Sequence, residues 1–221
     1  MSLTRRVRFL ISIIALIFIL TGCMEKKTPV DKMYDVLEAV VSKEKVFEEQ
    51  QDPLVNLEKQ EKEKYDQIIE LGMKEYDQIV KLSDEALTLA DKRKGHMEKE
   101  TKSLNESEKE FQKVADLKGE LDDLELTKIA DELYDIMNQR YRSHEELYRE
   151  YSNAIKYDQE LYRMFKDKDL PIADLETQIN KLNETYKKVF EANEKFNKYT
   201  EQYNEKKMSF YKKAGLQTTE K

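Results

Sequence analysis

The one thiol in this chain of 221 residues is Cys23, preceded by Leu20, Thr21 and Gly22. A lone cysteine cannot close a disulfide within its own chain. It can form a thioether. Two histidines, His96 and His144, lie on separate segments. Neither sits in a His-x-x-x-His or Glu-x-x-His spacing, so the ligands of a di-iron helical bundle are missing. No Gly-x-Ser-x-Gly turn presents a nucleophile. Acidic residues are plentiful, but they alternate with lysines at i, i+4, as in Glu58–Lys62 and Glu70–Lys74, which is surface chemistry. The expectation is no catalytic residue, no metal and no cofactor.

Three other groups of residues could bind something. Tyr134, Tyr141, Tyr148, Tyr151 and Tyr162 form a ladder at helical spacing. Their rings could line a groove for sugar or peptide, or could fill a core whose rim is wet. Lys92, Arg93, Lys94 and His96 form a basic cluster that could touch a wall polyanion. Asp91, Glu98 and Glu100 intersperse it, as on a solvated helix face. Asn193, Thr200, Lys207, His144 and Asp158 occupy seam positions, where one polar residue can set helix register. A His144–carboxylate pair could also be a site.

The first residues read as an export signal. Arg5, Arg6 and Arg8 are the only charges before Cys23, and Phe9 to Leu20 is apolar except for Ser12. That run is shorter than the roughly 20 residues a membrane-spanning helix needs. Its length and flanks are those of a secretory signal. Leu20-Thr21-Gly22-Cys23 resembles the lipobox of bacterial lipoproteins, which implies cleavage before Cys23 and two or three acyl chains on it. Two or more chains anchor stably. Without the three arginines, 36 Lys+Arg face 46 Asp+Glu, a net charge of about −10. Such a surface repels nucleic acid.

The elements that carry these residues are helices. Charged residues make up 38% of the chain, which has only 5 Gly and 3 Pro. That composition belongs to long helices and disfavours both a β-sandwich and a phosphate-cradling loop. Residues 1–22 are the signal, 23–28 the lipidated cysteine and its tether, 29–215 one helical-bundle domain, and 216–221 a frayed tail. Thr28 and Pro29 start a first, shorter helix over 29–50. Asp52-Pro53 predicts a break. Ser83-Asp84 is either a cap or read straight through, and Gly119 is a C-cap candidate. The widest apolar face runs from Leu126 to Phe165. On the last helix Leu175, Ile179, Leu182, Tyr186, Val189, Asn193, Phe196, Thr200, Tyr203, Lys207, Phe210 and Ala214 alternate by four and three up to Gly215. The last two helices would each be roughly 65 Å long. The fold class is all-α: an elongated up-and-down bundle of three to four long helices with a shorter N-terminal helix.

The chain resembles the YkyA-like cell-wall-binding lipoproteins of Gram-positive bacteria. The likeness rests on Leu20-Thr21-Gly22-Cys23, Asp91-Lys92-Arg93, Gln139-Arg140-Tyr141, Tyr157 to Tyr162, and Phe210 to Leu216. It implies a four-helix bundle at the outer face of the cell membrane and brings no binding residues beyond Cys23. The expected function is a non-catalytic, lipid-anchored protein that binds wall polymer or acts as a spacer. Its partners would be the membrane, cell-wall glycan or another envelope protein, and not nucleic acid. The alternative is a helical adaptor or chaperone-like module.

Overall fold

The computed structural model describes residues 27–71 and 75–216. The signal, Cys23 and Gly72 lie outside these residues, as do the end of the chain and most of the tether. Among the described residues six α-helices carry the fold: α1 (Pro29–Lys43), α2 (Lys45–Glu70), α3 (Tyr76–Phe111), the single turn α4 (Val114–Leu117), α5 (Leu124–Met164) and α6 (Ile172–Lys213). No strand occurs among the described residues. The long helices are antiparallel neighbours in sequence, with α2 on α3, α3 on α5 and α5 on α6. α1 continues the line of α2 along α3. The result is the expected up-and-down bundle with a shorter first helix.

The ends follow from local chemistry. Thr28 caps α1: its hydroxyl accepts from the Asp31 amide at 3.1 Å, while the Asp31 carboxylate accepts from the Thr28 amide at 2.9 Å. Asp123 caps α5 by accepting from the Glu125 and Leu126 amides at 2.8 and 2.9 Å. α6 ends at Lys213, and Gly215 just beyond it takes φ +69°. The Leu216 amide then reaches back to the Tyr211 carbonyl at 3.0 Å and the Gly215 amide to the Lys212 carbonyl at 3.3 Å, which satisfies two orphan carbonyls of the last turn.

Two boundaries differ from expectation. The first break falls at Glu44, and α2 runs through Pro53. Phe47, Gln50, Leu54 and Leu57 keep one inward face across the proline, and their packing outweighs its missing amide. α3 ends at Phe111, eight residues before Gly119, which lies in a 3-10 turn with no positive φ. Phe111 is fully buried against Tyr134, Tyr141 and Tyr203, so the chain turns there to keep it inside. Ser83-Asp84 is read straight through, within α3.

The core forms three successive clusters. The largest joins α1, α3, α5 and α6 around Met33, Leu104, Met137 and Phe210. The middle one contains Leu54, Met97, Tyr151 and Ala192, and the third contains Ile68, Leu82 and Tyr162.

Candidate binding groove

Residues 91–110 hold few apolar side chains, yet α3 is buried there too. Arg93, Glu100, Ser103 and Ser107 are all buried, and the first, second and fourth are a heptad apart. Opposite them on α5 stand Arg140, His144, Tyr151 and Asp158. Together they form a polar ladder along the bundle axis, and each rung is satisfied.

The first rung sits at the α1–α2 break. Arg140 donates to both oxygens of Glu44, at 2.8 and 2.9 Å, and through Nε to Thr200 at 2.9 Å. Ser107 donates to Glu44 at 2.6 Å and shares a hydrogen bond with Tyr141. Ser103 accepts from the Phe47 amide at 3.1 Å and donates to the Lys43 carbonyl at 2.6 Å, so one hydroxyl bridges the break. In the second rung Glu100 meets His144 Nε2 at 3.1 Å and accepts from Gln51 at 2.9 Å. The His144 ring lies edge-on to Phe47 and Phe196.

The third rung centres on Arg93, which is 2% exposed. Its Nη1 donates to Glu61 at 2.8 Å and Asp158 at 3.0 Å, its Nε to Tyr151 at 3.1 Å and its Nη2 to Tyr186 at 3.0 Å. Tyr186 in turn donates to Asp158, and Tyr151 to Glu58, each at 2.5 Å. Two buried carboxylates thus share one guanidinium nitrogen. Burial pushes Glu61 up to about 7 against the pull of Arg93, and burial raises Asp158 as well.

This rung floors a groove of about 710 Å³ between α2 and α6. The groove exists because α2 and α6 do not close the ring of helices. On the α5-facing side of α6, Gln178, Thr185 and Ala192 take the buried places. The amide of Gln178 donates to the Tyr157 carbonyl at 2.9 Å and Thr185 to the Lys181 carbonyl at 2.9 Å, so both polar side chains keep a partner where they are buried. Ile179, Tyr186, Val189 and Asn193, expected in the seam, line the groove instead. Phe190 on one lip and Val55 on the other are each 64% exposed.

The sequence candidates are redistributed accordingly. Tyr141, Tyr151 and Tyr162 are buried in three different clusters, so the ladder is not one groove. Tyr151 and Tyr162 reach the floor of the groove, while Tyr134 stacks on Phe111 and Tyr148 packs beside the middle cluster. The basic cluster divides as well. Lys92 and Lys94 are exposed, Arg93 points inward, and His96 Nδ1 pairs with Gln50 at 2.8 Å. Three consecutive residues on a helix face different ways, so a polyanion meets no single patch here. Of the polar seam residues, His144, Asp158 and Thr200 are rungs of the ladder. Asn193 is exposed at the groove, and Lys207 is half-buried with its pKa lowered by burial. Among the described residues no group of His, Cys, Asp and Glu could hold a metal ion.

The chain matches a family model described as "Putative cell-wall binding lipoprotein" over residues 28–213. It belongs to that family. Within the family's reach, the uncharacterized lipoprotein YkyA of Bacillus subtilis strain 168 is 37% identical over 201 residues, 91% of this chain and 90% of that protein. A 1.6 Å crystal structure of a conserved protein of unknown function from Staphylococcus aureus superposes with a TM-score of 0.71 at 17% identity, covering 85% of this chain and 98% of that one. That likeness is one of fold. Membership makes the chain a lipoprotein. No described helix is long and apolar enough to cross a membrane.

Proposed function

We propose that the protein is a non-catalytic lipoprotein, acylated on Cys23 at the extracytoplasmic face of the cell membrane, that holds a cell-wall polymer in the α2–α6 groove. The groove carries this reading: a cleft of about 710 Å³ open along the bundle, with an apolar lip and a hydrogen-bonded floor. Ligand clefts span roughly 300–1,000 Å³ and combine those two surfaces. The family description supports the wall as the target. The floor supports binding over chemistry, because Arg93 and the tyrosine hydroxyls occupy its carboxylates. At 1.5 Å per residue, α5 and α6 span about 62 Å, so the anchored rod would reach well into the wall. The test is cosedimentation of the chain from Met24 onward with purified peptidoglycan. Retention through a moderate-salt wash is expected, and complete loss in the wash overturns wall binding.

A second reading has its own observation. Phe190 and Val55 place an apolar side chain on each lip, as a docked partner helix would require. Crosslinking in cells that recovers one envelope protein and no glycan would favour this adaptor role.

A further inference from the structure

We propose that the α2–α6 groove takes an uncharged glycan strand, read by Asn183, Phe190 and Asn193 of α6 and Glu58 of α2. This rests on the wall-polymer reading above and names the component of the wall.

The face of α6 that looks into the groove carries Asn183, Tyr186, Phe190 and Asn193, spaced i, i+3, i+7 and i+10. That spacing sets them in one row along the helix. The row runs amide, phenol, phenyl, amide, and it alternates hydrogen-bonding edges with a flat apolar ring. A pyranose has the same two-sided character, with equatorial hydroxyls around its edge and an apolar face of C–H bonds. Asn183, Phe190 and Asn193 are exposed, so a ligand meets them without rearrangement of the helix. Glu58, half-buried across the groove, takes the Tyr151 hydroxyl on Oε1, and its Oε2 can accept a hydrogen bond from a sugar hydroxyl.

Charge selects among wall polymers. The groove is lined by Glu58, Glu61, Glu100 and Asp158 against Arg93 and Lys62. The guanidinium of Arg93 is already spent on Glu61, Asp158, Tyr151 and Tyr186. Lys62, the other cation of the lining, is paired with Asp66 at 2.6 Å, so a phosphate would enter the groove without a free cationic partner. A neutral sugar incurs no such penalty.

The experiment titrates chitotetraose into the isotope-labelled chain from Met24 onward, which contains every described residue, and follows backbone amide shifts. Shifts concentrated on α2 and α6 around the groove are expected. Phe190→Ala should weaken binding about tenfold, the worth of one stacked aromatic. The double variant Asn183→Ala/Asn193→Ala should weaken it similarly. Because these side chains are exposed, helical circular dichroism should stay unchanged and separate lost binding from lost fold. Shifts elsewhere, or equal affinity in Phe190→Ala, overturn the proposal. So does preferential binding in the groove of poly(glycerol phosphate) or of a lysine-bearing peptide. If the wild-type chain and Phe190→Ala sediment equally with peptidoglycan, the glycan site fails while wall binding stands. If neither sediments, wall binding itself fails.

Discussion

Arg140 grips both carboxylate oxygens of Glu44, and the residue it grips is the one at which the α1–α2 line breaks. The pair is mostly removed from water. Truncating one partner of such a pair leaves a buried charge unsatisfied, while removing both charges is far milder. Arg140→Met should lower unfolding free energy by about 3 kcal/mol in urea titrations. Adding Glu44→Gln should recover a good part of that loss. Strictly additive losses would show that the two residues do not act as a unit.

The Arg93 rung predicts a pH dependence. Glu61 has its pKa raised to about 7 from 4.5, chiefly by burial, so the folded chain holds this proton more tightly than the unfolded chain. Stability from this group is fully present below about pH 4.5 and is lost as pH rises through about 7. Asp158, also raised by burial, acts with the same sign. Glu61→Gln keeps an acceptor for Arg93 and removes the titration. Between about pH 5 and pH 8 the stability of this variant relative to wild type should rise by on the order of 2 kcal/mol. A difference independent of pH would refute the assignment.

Pro53 sits inside α2, where it removes one helical hydrogen bond. Pro53→Ala should restore that bond and raise stability by about 1 kcal/mol or more. Denaturant midpoints of the two proteins decide it, and an unchanged or lower midpoint would mean that α2 is shaped around the proline.

Cys23 is the proposed acylation site. Cys23→Ser should abolish incorporation of labelled palmitate and move the protein from the membrane fraction to the medium. Continued membrane retention of the variant would point to an uncleaved N-terminal anchor.

The bundle was legible because helical periodicity is a local property: the turn before Pro171, the cap at Thr28 and the stop at Gly215 all follow from near neighbours. The break at Glu44 was not, since it depends on Ser103, Ser107 and Arg140, which are 59 or more residues away. The ladder was half visible. His144 and Asp158 stood out as polar residues at seam positions, but Arg93 resembled its exposed neighbours Lys92 and Lys94. Glu61 and Asp158, with the hydroxyls of Tyr151 and Tyr186, draw it inward from three other helices. The weak apolar stretch over 91–110 was itself the missing signal. A helix so poor in apolar residues, flanked by good ones, can be buried only through paired polar groups. The groove was hidden because α6 has two candidate inward faces, and the choice between them depends on whether α2 comes near enough to cover the second.

The heptad spacing of the ladder also bears on mechanics. Smooth apolar seams let long helices slide past one another by seven residues with little loss. Here a slide of α3 by one heptad would set the Glu100 carboxylate where Arg93 now meets Asp158, acid against acid in a dry interior. On the proposed reading, a pull between the Cys23 anchor and a bound wall polymer would have to overcome this register penalty before the helices could slip.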